Sequence, residues 1–531
     1  MNYRTVLNQA ALLMLVLAAI LAGIGAWAAL EWALGDATEQ TATWAFAISA
    51  AAGAVLGAAL WWFTRGGSGQ LGRREALLLV AISWLGGAAL AGLPFFLWAE
   101  LTFVLGAAPG PMLQAAEPTA GADLHPFVNP INCYFEAMSG LTTTGATILP
   151  NIDRCPPSIL LWRSMTHWLG GLGIVVLFVA VLPSLGVGGK RLYKVEAPGP
   201  RAEGVRPHIR ETARVLWMIY LGLTVAQSLA LWAAGMPLYK ALSHTFATLA
   251  TGGFSTEDAS IAGFDSITIE LIVIFFMLVA GINFGLYYHL LRGRTRTLLR
   301  DTEVRVYLGL LVVITLIIAG MLVGRTIETT AGEVIDNASL GQALRYAGFQ
   351  AVSIQTTTGF CTANFDDWPF GAEALLLLAM FIGGSAGSTA GGMKIIRVWI
   401  MAKVLYAEVE KAFRPQVVRS LKVGPMTVDD ELRLATVSYV LGCLLLVGVG
   451  SGALMLIERG VDHAIDFQDA ATATVATLFN IGPGLGRVGA TKNYWWFADG
   501  SKAVMSVLMA MGRLELFAII VLFTPRFWRG T

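Results

Sequence analysis

Four short segments of the chain carry residue types that could strip water from a cation and hold it. They are Phe135–Thr147, which contains Leu141-Thr-Thr-Thr-Gly145-Ala-Thr147; Phe246–Ser255, which contains Ala250-Thr-Gly252-Gly-Phe; Phe349–Phe360, which contains Thr356-Thr-Thr-Gly359; and Ala473–Gly484, which contains Phe479-Asn-Ile-Gly482-Pro. A cation entering a membrane must exchange its hydration shell for other oxygens. A ring of backbone carbonyls supplies them without burying a full counter-charge. A loop that turns its carbonyls to one side needs unusual backbone angles, which glycine adopts at little steric cost. The candidate ligating residues are therefore Thr143, Thr144, Gly145, Thr251, Gly252, Thr358, Gly359, Asn480, Ile481 and Gly482. The threonine runs 142–144 and 356–358 stiffen their strands and offer hydroxyls. The bland alternative for such a glycine is close packing between helices; it fits Gly170, Gly171 and Gly173.

Two other features call for an explanation. Residues 383–392 hold Gly383, Gly384, Gly387, Gly391 and Gly392, inside what should be a membrane helix from about 370 to 404. Each glycine costs a helix about 1 kcal/mol, so the helix is expected to break here. Arg513 lies within an apolar helix, where a charge costs at least about 2.5–3.5 kcal/mol and must face protein or water. Either it faces a pore and repels cations, or it pairs with Glu515 or another acid. Gly383-Gly-Ser-Ala-Gly387 also fits a hydrolase elbow, but the strand–turn–helix context and partner residues that motif needs are missing. There is no GK[ST] phosphate loop, and the six histidines have no metal-ligand spacing. The chain therefore does not read as an enzyme. Asp153, Glu257, Asp258, Asp366 and Asp367 follow the glycine segments and would form either a cation-enriching rim or an ordinary solvated edge.

The elements that position these residues must lie in a membrane. Apolar residues make up 56% of the 531 and charged ones only 13%, half the usual charged share. Ala10–Leu30, Thr41–Thr64, Val306–Gly324 and Ala435–Ile457 are uncharged runs, each long enough to cross the roughly 30 Å hydrocarbon layer as a helix. The four glycine segments recur a little over a hundred residues apart, each after a helix-like stretch too short to span. Such a half-helix would aim its partly negative C-terminal end at a cation. Non-helical backbone at membrane depth is tolerated only where it is buried in protein or lines water, so four such loops meeting on one axis would make a pore. The expected fold is all-α and membrane-integral: four helix–re-entrant loop–helix repeats around a central pore, plus an N-terminal two-helix hairpin. The hairpin occupies 1–70 and the repeats 71–200, 201–298, 299–425 and 426–531. Residues Ala107–Pro130 read as a loop.

Threading the chain through the membrane from an inside N-terminus places 26 of the 36 Lys and Arg residues on one set of loops and seven on the other. The positive-inside rule then puts both termini in the cytoplasm, and topology explains the basic loops without nucleic acid. Arg4, an apolar run and Ala26-Trp27-Ala28 outline a cleaved leader, but the apolar run continues past that site. Four cysteines are too few for a disulfide framework; Cys133 and Cys155 would be either a bridged pair or two buried thiols.

Taken together, Leu141–Thr147, Ala250–Thr256, Phe479–Gly486, Gly383–Lys394 and Met511–Leu516 resemble the Trk/Ktr/HKT potassium transporter superfamily, most closely its Trk-type membrane subunit. The resemblance covers nearly the whole chain, the N-terminal hairpin included. It implies a potassium filter at Gly145, Gly252, Gly359 and Gly482, and a gate loop over Gly383, Gly384, Gly387, Gly391, Gly392 and Lys394, with Arg513 nearby. It implies potassium as the transported ion, no organic cofactor on this chain, and location in a bacterial inner membrane. It also implies a homodimer and a cytoplasmic TrkA-type regulatory ring carrying NAD or ATP, with 190–214 and 394–433 as docking surfaces. Glycine at all four filter positions favours potassium. The single key glycine per loop leaves a less selective K+/Na+ pathway, or a proton- or sodium-coupled symporter, as alternatives to passive uptake.

Overall fold

The computed structural model describes residues 1–66, 72–104, 125–180, 208–416, 421–424, 426–460 and 465–529. Most of the expected loop at 107–130 and residues 190–207 of the first basic stretch lie outside them. The chain opens with an antiparallel hairpin, α1 (Tyr3–Ala33) and α2 (Glu39–Thr64). Four units follow, each with a long helix, a half-helix, an extended loop and a second helix. The first holds α3 (Arg73–Ala99), half-helix α4 (Pro130–Leu141) and α5 (Pro157–Ala180). The second holds α6 (His208–Ala233), half-helix α7 (Leu238–Leu249) and α8 (Ile267–Ala280), continued after a 98° bend by α9 (Phe284–Leu291). The third holds α10 (Thr302–Leu322), half-helix α11 (Leu340–Gln355), α12 (Phe370–Phe381) and α13 (Ile395–Phe413). The fourth holds α14 (Asp430–Glu458), half-helix α15 (Phe467–Leu478) and α16 (Asp499–Arg513). Two short antiparallel hairpins, 327–335 and 421–428, join elements of the third and fourth units.

Length separates the two kinds of helix. Six described helices are long and apolar enough to cross a membrane, and eight if each bent pair is one span. Their outer faces carry Leu13, Val16, Val55, Phe63, Leu271, Leu316 and Leu445, all exposed, as suits contact with lipid rather than water. The half-helices α4, α7 and α15 have 12 residues and α11 has 16. At 1.5 Å per residue they reach about 18–24 Å, short of a full crossing. Three begin with side-chain caps, from Asn129, Ser339 and Asp466, which satisfy amides that lipid could not. Nearly every residue from Ala343 to Gln355 and from Asp469 to Leu478 is buried. The half-helices therefore form the centre of the molecule and the long helices its wall.

The glycine-dense stretch does break its helix: α12 ends at Phe381 and α13 starts at Ile395. The sequence reading missed two equivalent breaks. One is at 281–283; the other, with a 116° bend, is at 514–516, where Glu515 and Leu516 take φ of 60° and 56°. In the first unit α5 runs through, and the close-packing reading of its glycines holds. A Cβ on Gly170 would lie 1.9 Å from the Leu141 carbonyl, and one on Gly173 2.8 Å from Trp84. All four cysteines are free, buried thiols, so Cys133 and Cys155 are not bridged.

The N-terminal hairpin is tied to the first unit by one buried carboxylate. Glu39 accepts from the Ser158 amide at 2.8 Å and from the Ser158 hydroxyl, capping the start of α5. Thr102 donates to Thr41 at 2.8 Å beside it. Glu39→Ala would orphan both Ser158 donors, at a cost of about 2–3 kcal/mol. A clearly lowered melting temperature in detergent is expected, with a milder effect for Ser158→Ala; an unchanged melting curve for Glu39→Ala would refute this tie.

Candidate ion-conduction site

All four half-helices end in one way. Thr143, Thr251, Thr357 and Asn480 stand in the left-handed region, with φ of 52°, 54°, 58° and 55°. The amide of each bonds back three residues, to Gly140, Thr248, Ile354 and Thr477, at 3.0–3.4 Å. The next amide bonds back five: Thr144 to Ser139, Gly252 to Ala247, Thr358 to Ser353 and Ile481 to Ala476, at 2.7–2.9 Å. This paired closure satisfies the last helix carbonyls and normally uses glycine at the left-handed position. A β-branched threonine there is strained, a feature that concentrates at functional sites.

These bonds fix the register. The residue two places after the left-handed one is Gly145, Gly253, Gly359 and Gly482, each again at positive φ: 82°, 82°, 80° and 99°. The second loop therefore places Gly253, not Gly252, at the position equivalent to Gly145, Gly359 and Gly482; Gly252 stands where the other loops have Thr144, Thr358 and Ile481. The expected alignment was one residue off because it matched the first of two adjacent glycines. The spacing Thr-x-Gly, or Asn-x-Gly in the fourth loop, would have selected the second. Thr357, the left-handed residue of the third loop, was also missed.

The four loops meet in a closed cycle. A Cβ on Gly145 would lie 2.1 Å from the Gly252 carbonyl oxygen; one on Gly253, 1.9 Å from that of Thr358; one on Gly359, 2.0 Å from that of Ile481; and one on Gly482, 2.7 Å from that of Thr144. Each loop thus presses against the next, and the fourth returns to the first. No side chain fits at these four points. The four glycines also line one cavity of about 130 Å³, together with Thr147, Glu257 and Asp258.

The side chains around the cycle brace it. Thr142 and Thr356 donate to Met138 and Val352 carbonyls, and their hydroxyls meet those of Thr144 and Thr358 at 2.8 Å. These four hydroxyls are engaged within the ring, whereas Thr143 Oγ1, also buried, has no hydrogen-bond partner among the described residues. Asn480 donates to Thr144 Oγ1 and the Met509 carbonyl, both at 3.0 Å, stitching the fourth loop to the first and to α16. Tyr494, which sequence reading did not single out, donates its hydroxyl to the Gly482 carbonyl at 2.7 Å. Of the five acids expected at the rim, Glu257 and Asp258 line the cavity. Glu257 pairs with Lys240, and Asp258 accepts from the Ile152 amide, each at 2.5 Å. Asp366 accepts from the Gly486 amide at 3.0 Å, and burial pushes its carboxyl up to about 6.

The glycine-rich loop lies on the other side of the ring, under the half-helix ends. Thr389 donates to the Leu249 carbonyl at 2.8 Å, the Gly391 amide donates to Thr357 Oγ1 at 2.6 Å, and a Cβ on Gly391 would meet the Phe479 carbonyl at 2.7 Å. It therefore reaches the ends of the second, third and fourth half-helices. Gly383 and Gly392 cross each other closely: a Cβ on Gly392 would meet the Gly383 Cα at 3.0 Å. A Cβ on Gly384 would lie 2.8 Å from the Gly281 carbonyl, and Gly387 accepts from the Phe284 amide at 3.1 Å. Lys394 is buried and donates to the Ala390 carbonyl. Arg513, also buried, donates to the Thr389 carbonyl at 2.7 Å and the Gly170 carbonyl at 3.4 Å, clamping this loop to α5. It does not pair with Glu515, whose partner is Arg397.

Residues 119–529 match the TrkH family of cation transport proteins. The chain is 41% identical over 476 residues to the Trk system potassium uptake protein TrkH of Salmonella typhimurium, covering 89% of this chain and 90% of that one. It is 30% identical over 477 residues to the Trk system potassium uptake protein TrkG of Escherichia coli, covering 90% of each. Its fold superimposes on the crystal structure of the potassium transporter TrkH from Vibrio parahaemolyticus with a TM-score of 0.83, at 33% identity and over 100% of both chains.

The register carries a sharp expectation. Gly253→Ala puts a methyl group into the Thr358 carbonyl and should abolish cation flux in proteoliposomes. Gly222→Ala on α6, where a Cβ meets nothing within 4 Å, should leave flux at the wild-type level. A conducting Gly253→Ala protein contradicts the assigned register.

Proposed function

This chain belongs to the TrkH family of cation transport proteins, and we propose that the carbonyl oxygens of Thr144, Gly252, Thr358 and Ile481, flanked by Gly145, Gly253, Gly359 and Gly482, are the filter through which it takes up potassium. The protein is a potassium transporter of the Trk type, not an enzyme. The observation that carries the filter assignment is the closed cycle, in which each filter glycine abuts the carbonyl of the next loop. Carbonyl dipoles replace potassium's hydration shell there, and the C-terminal ends of four half-helices add partial negative charge below them. Glu257 and Asp258 at the cavity raise the local cation concentration.

The repeats run 71–200, 201–298, 299–425 and 426–531 in this reading, behind a hairpin at 1–70. The protein sits in the bacterial inner membrane with both termini in the cytoplasm, as the charge asymmetry of its loops favours. The ring's outer cavity then faces outward and the glycine-rich loop inward. The membrane potential, worth about 2.3 kcal/mol per charge per 100 mV, drives potassium in. The loop 383–392 with Lys394 is the gate. It spans the inner end of the pathway, where it contacts the ends of three half-helices. A dimer and a TrkA-type nucleotide-binding ring complete the system. Lys411 and Arg414 are the exposed docking cations at the end of α13 and just after it, whereas Lys403 is half-buried and Arg397 is buried against Glu515.

Flux of potassium, rubidium and sodium into proteoliposomes, with and without an imposed potential, tests the transport reading. Potassium and rubidium flux that follows the potential is expected; equal sodium flux, or uptake requiring a proton gradient, would refute it. Arg513→Ala removes both the clamp on the Thr389 carbonyl and a positive charge at the inner end. Potassium flux should rise severalfold, and unchanged or lower flux would count against Arg513 as a barrier.

A further inference from the structure

Beside the ring stands a buried charged pair, whose Arg163 also lines the cavity bounded by the four glycines. Glu136 on α4 is 0% exposed and Arg163 on α5 is 1% exposed. Arg163 Nε donates to Glu136 Oε1 at 2.5 Å, and Thr147 Oγ1 donates to the same oxygen at 2.9 Å. The Ile148 amide donates to Glu136 Oε2 at 2.9 Å. On its other side, Arg163 Nη1 donates to the Ser255 carbonyl at 2.9 Å, and the guanidinium lies 3.6 Å from the centre of the Phe254 ring. The carboxylate thus holds the strand that leaves Gly145, and the guanidinium holds the strand that leaves Gly253.

The position is a repeated one. Glu136, His244, Gln350 and Ala473 each stand nine residues before the filter glycine of their loop. His244 Nε2 is 3.0 Å from Ser255 Oγ, and Gln350 donates to the Ala363 carbonyl at 3.3 Å. Three half-helices therefore tie down the strand beyond the filter from the same place, and Ala473 cannot. Neutral groups suffice in the second and third loops, yet the first uses a full ion pair. A buried pair gains little stability over an apolar one, because desolvation offsets its attraction; its distinctive contribution is fixed geometry. Fixed geometry matters at a filter, where carbonyls that close freely around a smaller ion lose discrimination.

We propose that Glu136 and Arg163 are positioning residues that set the separation of the first two filter strands, and through it the preference among monovalent cations. This rests on the filter reading above. Arg163 also places a positive charge near the conduction path, and Glu136 offsets it.

The test compares wild type, Glu136→Gln and Glu136→Gln/Arg163→Gln in proteoliposomes, reading potassium flux and the sodium-to-potassium permeability ratio. Glu136→Gln leaves Arg163 uncompensated and should lower potassium flux roughly tenfold. The double variant leaves no orphan charge. It should recover flux to within about threefold of wild type while raising the sodium-to-potassium ratio about fivefold or more, since neither Gln can hold both strands. A double variant with the wild-type ratio would overturn the proposal, as would one that cannot be inserted in the membrane, which would make the pair a folding requirement. Absence of potassium flux in the wild type would instead sink the filter reading, so the two failures are distinguishable.

Discussion

A backbone that leaves the helical path inside a bilayer has no water to satisfy its polar groups. The centre of this molecule is organised around that constraint. Each half-helix stops short of a crossing, closes its last carbonyls with a left-handed turn, and sends its chain back outward as an extended strand whose remaining carbonyls point at the neighbouring loop. None of the four loops is stable alone in lipid. Each lies against the next, and the long helices keep that arrangement out of contact with acyl chains. The strained threonines at 143, 251 and 357 follow from the same demand. The turn must be tight, the position must donate its amide backward, and the surrounding half-helices hold it in place.

The side of the ring that carries the glycine-rich loop is built differently. Three of the four second helices break near a glycine, at 281, 383–392 and 512–516. Only the third unit expands its break into a loop long enough to touch several half-helix ends at once. It hydrogen-bonds to Thr357, Leu249, Ala280, Gly281, Phe284, Glu303 and the Arg513 guanidinium, and Ala386 packs in an apolar cluster with Ile396 and Ile400.

Much of this was legible in the sequence, and the rest was hidden for identifiable physical reasons. Uncharged runs gave the long helices, and the Thr/Gly segments gave four loops, because both follow from composition over many residues. The density of glycine at 383–392 announced a break, whereas the single Gly281 and Gly512 did not, since one glycine is also what close helix packing uses. Adjacent Gly252 and Gly253 could not be told apart by type; their spacing from Thr251, matched across the four loops, and the hydrogen bonds closing α7 distinguish them. The hydroxyls of Thr142, Thr144, Thr356 and Thr358 looked free in the sequence but are engaged in hydrogen bonds around the ring. The brace at Glu136 and Arg163 and the Tyr494 bond to Gly482 join residues distant in sequence, which a single chain gives no means of pairing. Arg513 was singled out by the cost of its charge, but its carbonyl partners, rather than Glu515, emerged only from the fold.

The central claim is that four carbonyls, one from each loop, surround the transported ion. Anomalous scattering from crystals soaked in rubidium tests it most directly. The account predicts a peak on the axis between the carbonyl oxygens of Thr144, Gly252, Thr358 and Ile481, at coordination distance from all four. A rubidium peak held instead by side-chain hydroxyls or carboxylates, with none inside that ring, would contradict it.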